Sequence, residues 1–83
     1  MRTHSIKIRE EYADAVLSGD KTFEIRYNDR GYQTGDQVVF TVIRGGETVK
    51  DHPINQKNYV ITYVIGGFHV EKDYVVFAIK PID

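Results

Sequence analysis

No cysteine occurs among the 83 residues, which excludes disulfides, a thiolate nucleophile and any cysteine-held metal. A dominant charge is missing too: eleven Lys and Arg face twelve Asp and Glu, for a formal charge of −1. No global basic field therefore draws the chain to nucleic acid or to a membrane, and any such site has to be a local patch. Long hydrophobic runs are also absent. Nothing approaches the roughly 20 apolar residues of a membrane span. Met1-Arg2-Thr3-His4-Ser5 has no apolar stretch behind it that would make a signal peptide. The expected setting is the cytoplasm, without membrane contact.

The three histidines, His4, His52 and His69, lie far apart and none has a partner at His-x-x-x-His spacing. Neither a metal nor another cofactor is expected. A Gly-x-Ser-x-Gly elbow and a glycine-rich phosphate loop are missing as well. There is no internal repeat, low-complexity tract or linker, so residues 1–83 read as one domain. A chain this short buries only about 60 to 65% of its unfolded surface, and its core must be small. With 41% apolar and 28% charged residues it has the composition of a folding chain, not of a disordered tail.

Ser5 to Ile8 alternates polar and apolar, with His4, Ile6 and Ile8 on one parity and Lys7 on the other, as a half-buried first strand would. Glu10 to Ser18 follows as a short amphipathic helix with Tyr12, Ala15 and Val16 on its apolar stripe. Glu10 and Glu11 sit in the favourable first turn, and Gly19 is the stop. Asn28-Asp29-Arg30-Gly31 and Gln33-Thr34-Gly35-Asp36 are dense in turn formers. Val38 to Ile43 is β-branched and aromatic, a buried strand. Gly45-Gly46 suits a tight hairpin into Glu47-Thr48-Val49, and residues 50–57 read as the longest loop. Asn58 to Ile65 and Asp73 to Lys80 are the last strands, joined by Gly66-Gly67-Phe68-His69-Val70-Glu71-Lys72, with Pro81 marking the end. Five to seven short strands and one helix predict a mainly β, α+β chain with a curled, barrel-like sheet.

The richest stretch is Leu17 to Arg26, where a glycine stop leads into a strand carrying Lys21, Glu24 and Arg26. Alternation puts Thr22, Glu24, Arg26 and Asn28 on one face and Phe23, Ile25 and Tyr27 on the other, so the apolar set is expected to face the core. Lys21 joins the charged set only if it still lies in the turn after the helix, which the stop at Gly19 predicts.

Gly19-x-Lys21-x-x-Glu24-x-Arg26 resembles the signature of ASCH domains, small barrels of the PUA-like superfamily. His4-Ser5-Ile6-Lys7-Ile8, the helix with Tyr12 and Val16, Asn28-Asp29-Arg30-Gly31 and Gly35-Asp36 extend the resemblance to a bacterial and phage ASCH-like family of unknown function. It runs from about His4 to Ile79. The resemblance implies a cleft between helix and barrel, commonly proposed to take nucleic acid, lined here by Lys7, Lys21 and Arg26. Some small ASCH proteins are amidohydrolases that deacetylate acetylated cytidine with a lysine of this motif, a threonine three residues on and a downstream glutamate. This chain keeps Lys21, but the third residue on is Glu24, and the adjacent threonine is Thr22.

Each residue also has a plain structural reading. Glu24 and Arg26, two apart on one strand face at about 6.5 to 7 Å, can be a surface ion pair contributing about 0 to 1 kcal/mol. Alternatively Glu24 orients Arg26 so that its planar fork meets a phosphate or base edge. Asn28 to Gly31 is turn chemistry from which Arg30 can overhang a cleft, and the Gly35-Asp36 corner is architectural. Of the six tyrosines, Tyr12, Tyr59, Tyr63 and Tyr74 read as packing residues, whereas Tyr27 and Tyr32 are the candidates for an exposed ring. The resulting expectation is a domain that binds RNA or a nucleotide through Lys7, Lys21, Glu24, Arg26 and Arg30. Arg26 is expected to be dispensable for folding. An amidohydrolase using Lys21, Glu24 and Thr22, and a protein-binding accessory module, are the alternatives. Oligomeric state is not legible at this level.

Overall fold

The computed structural model describes residues 1–67 and 69–82. Of the expected link over residues 66–72, Phe68 lies outside the described residues. The chain runs β1 (Thr3–Arg9), α1 (Glu10–Ser18), β2 (Phe23–Tyr27), β3 (Gln37–Arg44), β4 (Glu47–Thr48), a 3-10 turn (Pro53–Gln56), β5 (Asn58–Gly66) and β6 (Tyr74–Ile82). The fold is a small α+β one with a single curled sheet, as its short strands and turn spacing predict.

The sheet order is β1-β3-β5-β6-β2, with β4 added to β3. Only β1 and β3 run parallel; β2/β6, β3/β4, β3/β5 and β5/β6 are antiparallel. The two edge strands are therefore β1 and β2, which the chain makes one after the other with only α1 between them. Gly19 ends that helix in the left-handed region at φ 89°, with its N–H on the Val16 carbonyl at 3.1 Å. The Lys21 N–H then bonds Ala15 O at 3.0 Å, so Lys21 does lie in the post-helix turn. Gly45 and Gly46 take φ 57° and 84° and close the β3–β4 hairpin, where two consecutive positive φ values favour glycine.

The core gathers inward residues of every long strand, among them Ile6, Val38, Phe40, Ile61 and Phe77, and closes under Ala13 and Val16 of α1. Tyr12 departs from its expected place on the buried stripe: it is 43% exposed, and Ala13 with Val16 takes the buried side. Residues 50–57 are more than a polar loop. His52 Nδ1 accepts the Ile54 N–H at 3.2 Å and caps the 3-10 turn, which drives Ile54 to full burial. The second His52 nitrogen, Nε2, then holds the proton and donates to Asp14 Oδ1 at 2.7 Å.

Pro81 does not end β6. Ile79 N–H points to the Thr22 carbonyl on the β2 side. By alternation the missing N–H of Pro81 falls on that side too, beyond the end of β2, where no ladder asks for it. A register shift between Ile61 and Tyr63 breaks the parity of β5. Tyr59 is buried as expected, but the bulge turns Tyr63 and Ile65 outward, against the expectation that Tyr63 packs inside.

Candidate functional site at the open seam

The register on β6 settles which face of β2 points inward. Glu24 stands opposite Phe77 and Arg26 opposite Val75, both buried; Phe23, Ile25 and Tyr27 stand opposite Ala78, Val76 and Tyr74 on the outer face. The expected assignment is reversed: the charged set faces the interior of the curl, and the apolar set faces solvent. Glu24 tolerates a 3% exposed position because both its oxygens are matched. Oε1 accepts from Arg26 Nε at 3.0 Å and Nη2 at 2.7 Å, and Oε2 accepts from Lys21 Nζ. Lys21 also donates to the Phe23 carbonyl at 2.7 Å. Its ammonium lies 5.6 Å from the Tyr12 ring centroid and 5.1 Å from that of Phe23, within cation–π range. A buried carboxylate held by two cations is costly to break from either side. Arg26 thus also holds a buried carboxylate, which weighs against the expectation that folding would scarcely need it.

Between the edges of β1 and β2 the curl stays open, and a cavity of about 450 Å³ occupies the seam. Lys7, Arg26 and Arg30 supply its cations and Asp29 its one carboxylate, with Tyr27 at the outer margin. Lys7 has no ion pair or side-chain hydrogen bond among the described residues. Arg26 is held at Nε and Nη2 by Glu24, and Nη1 carries none of those bonds. Arg30 is partly committed: its Nη1 donates to the Ser5 carbonyl of β1 at 2.5 Å. Arg2 in turn donates to the carbonyls of Arg30 and Gly31, the latter at 2.7 Å. These side chains strap the turn of residues 28–31 across one end of the seam. That turn is closed by Asn28 Oδ1, which accepts the Tyr32 N–H at 3.1 Å.

Toward α1 the seam continues into a second hollow of about 230 Å³. Lys7, Glu24 and Arg26 line it together with Arg9 and Tyr12. Lys7 and Arg26 border both spaces, so the two form one groove along the sheet edges. The sequence reading named Lys7, Glu24, Arg26 and Arg30, and the fold brings all four to this groove. It missed Arg9, which shares the outward parity of Lys7 and could have been found by that signal, and Asp29, which nothing short of the fold distinguishes. Lys21 reaches the groove only through Glu24. With Thr22 it lines a separate hollow of about 150 Å³ beside Lys57 and Pro81. Tyr27 has the exposed ring expected of it, whereas Tyr32 is buried between His4 and Phe77, with centroid distances of 4.7 Å to each.

Behind Tyr32, the Gly35-Asp36 corner is architectural as expected. Asp36 accepts His4 Nε2 at 2.8 Å, the Arg2 amide at 3.1 Å and the Gln33 amide at 3.2 Å. Burial pushes its carboxyl up, but the His4 bond and the two amides outweigh it and hold the group below its ordinary value. His4 is thereby committed to the frame beneath the groove.

A family described as a domain of unknown function, DUF3850, matches residues 3–79. The chain belongs to this family. An uncharacterized 12.9 kDa protein in the GpA 3′ region of Escherichia phage P2 is 40% identical over 38 residues, which is 46% of this chain and 35% of that protein. The matched stretch thus spans about a third of its relative's length. A crystal structure of hypothetical protein PH0355 superposes with a TM-score of 0.61 at 16% identity, over 99% of this chain and all of that one. At that identity the likeness speaks for the fold alone. Among the described residues no group of three or more His, Asp or Glu converges as metal ligands would, and no helix is long and apolar enough to cross a membrane.

Proposed function

We propose that this domain binds single-stranded RNA or a nucleotide in the seam between β1 and β2, within the cytoplasm. The observation that carries the reading is the concentration of Lys7, Arg26 and Arg30 around one cavity in a protein whose overall charge is −1. Arg26 adds a guanidinium already fixed by Glu24, so little of its freedom is lost when a phosphate or base edge takes the remaining donor. Tyr12 and Tyr27 at the two ends give rings on which bases can stack, and single-stranded ligands are the ones that offer unstacked bases. The resemblance of Gly19, Lys21, Glu24 and Arg26 to the ASCH signature, together with the curled sheet, supports an ASCH/PUA-like assignment and the same reading.

Hydrolysis of an acetylated cytidine retains one favourable contact, that of the Lys21 ammonium with the Glu24 carboxylate. Lys21 is nevertheless occupied by Glu24 and Phe23 O, and with Thr22 it opens on a different, smaller hollow. In the binding reading Lys21 is a positioning residue that holds Glu24 against Arg26.

Amide NMR spectra recorded during titration with a mixed-sequence single-stranded hexaribonucleotide test the proposal. Shifts concentrated on Lys7, Arg26 and residues 27–30 are expected, with no acetate released from acetylcytidine in a parallel sample. Unchanged spectra at millimolar RNA refute binding, and acetate formation that depends on Lys21 moves the assignment to the hydrolase.

A further inference from the structure

The described residues include eight large hydrophobics with substantial exposure, and six of them share one surface. Phe23, Ile25 and Tyr27 come from β2, Tyr63 and Ile65 from β5 beyond its bulge, and Ile82 from the end of β6. The register places them on both sides of Tyr74, Val76 and Ala78, the outward residues of β6: Ile25 and Ile65 are both paired with Val76, and Phe23 and Tyr63 with Ala78. The result is a three-stranded face whose central rows carry no charge; Lys80 is the first cation along β6. Ordinary alternation leaves polar residues on the solvent side of an antiparallel sheet. Here the bulge in β5 and the reversed parity of β2 both deliver apolar side chains to it.

We propose that this outer face of β5, β6 and β2 is the docking surface for a second copy of the chain, packed sheet face to sheet face about a two-fold axis. Its size is one argument. With about 200 Å² for an aromatic side chain and somewhat less for isoleucine, exposures of 41 to 65% leave on the order of 600 Å² of apolar surface. That is the upper end of the roughly 300 to 600 Å² patch a typical monomer carries, and close to the about 800 Å² each partner contributes to a standard interface. Its chemistry is the other argument. The rows of Ile25 and Ile65 across Val76 and of Phe23 and Tyr63 across Ala78 are uncharged, with Lys80 beside Ile82 and the Lys21 ammonium at the Phe23 ring on one margin, so an identical face meets the apolar rows while these cations stay at the rim. Two twisted sheets stack in this way at about 10 Å, their inner side chains interdigitated. Ile25 and Tyr27 also line the seam, so the second copy covers the outer margin of the groove at Tyr27 and leaves Tyr12 as the open ring. The inference does not rest on what the groove binds, although it competes with base stacking for the Tyr27 ring.

Sedimentation velocity of the 83-residue chain from low micromolar to sub-millimolar concentration decides it. A species of twice 9.6 kDa is expected to grow with concentration. Ile25→Lys on β2 and Tyr63→Lys on β5, both at exposed positions, are each expected to return the mass to 9.6 kDa with an unchanged circular dichroism spectrum. Two variants on different strands guard against one of them failing to fold, and the native mass reads independently of either. A native chain that stays at 9.6 kDa throughout, an open-ended series of larger species, or a dimer that survives both substitutions overturns the proposal.

Discussion

The two faces of β2 break the usual rule in opposite directions. Its inner face carries Glu24 and Arg26, polar and buried; its outer face carries Phe23, Ile25 and Tyr27, apolar and exposed. The difference teaches what burial requires. Glu24 is buried because Lys21 and Arg26 match both its oxygens, so position is decided by satisfied partners and not by residue class. The outer residues keep only rim contacts, Phe23 with the Lys21 ammonium and Tyr27 edge-on to Tyr74 at 5.6 Å, and most of their apolar surface stays open to whatever covers it.

The largest effect expected from breaking this contrast is on the inner face. Glu24→Ala leaves Lys21 and Arg26 facing one another with no counter-ion, and is expected to cost about 3 to 5 kcal/mol in urea unfolding. Glu10, which pairs with Arg44 at the surface, supplies the control: Glu10→Ala loses a first-turn charge and a solvent-screened pair, and should lower the midpoint far less. Equal losses at the two sites would show that the buried triad is only another surface pair.

A second buried carboxylate extends the comparison. Asp36 is held below its ordinary value of 3.8, so it binds a proton less readily folded than unfolded. Its contribution is complete above pH 3.8 and is lost as pH falls through the lower folded value. Asp36→Asn, which no longer offers two carboxylate oxygens to three donors, should cost about 1 to 3 kcal/mol near neutrality. The gap to the native chain should narrow as urea titrations move to lower pH. A constant gap would assign the stabilisation to shape instead of charge.

Much of this arrangement was legible before the fold was known. The stop at Gly19, the placing of Lys21 in the turn, the Gly45-Gly46 hairpin and the strand spans follow from local rules, because each depends on a few neighbouring residues. Features set by long-range pairing did not. The parity of β2 was read as if apolar residues must point inward, yet its direction is set by the register on β6. The outward Tyr63 depends on a bulge that a period-two reading cannot see, and the burial of Ile54 depends on a cap from His52 in a polar stretch. The seam itself is long-range: β1 pairs with β3 and β2 with β6, and only their open edges place Lys7 beside Arg26.

Lys7 separates binding from folding on the inner side of this comparison. Among the described residues it has no ion pair or side-chain hydrogen bond to lose, so Lys7→Ala should leave the unfolding midpoint unchanged. Removing one phosphate contact should weaken RNA binding by about tenfold at low salt and reduce the slope of log affinity against log salt by about 0.7. Fluorescence anisotropy at several salt concentrations reads both. An unaltered slope would take Lys7 out of the site.

The smallest effect belongs to the outer face. Ile25 is 58% exposed, and threonine keeps its β-branched shape and strand preference. At concentrations where the chain sediments at 9.6 kDa, Ile25→Thr should therefore shift stability by no more than about 0.5 kcal/mol. The same exchange at Ile61, which is fully buried in β5, removes methyl groups from the core and leaves a hydroxyl seeking a partner, for a loss of about 1 to 3 kcal/mol. Chemical denaturation of the pair at matched concentration makes the contrast quantitative. A large loss at position 25 in the monomer would mean that the outer apolar row already stabilises the isolated fold. In that case its exposure could no longer be read as surface held in reserve for a second copy.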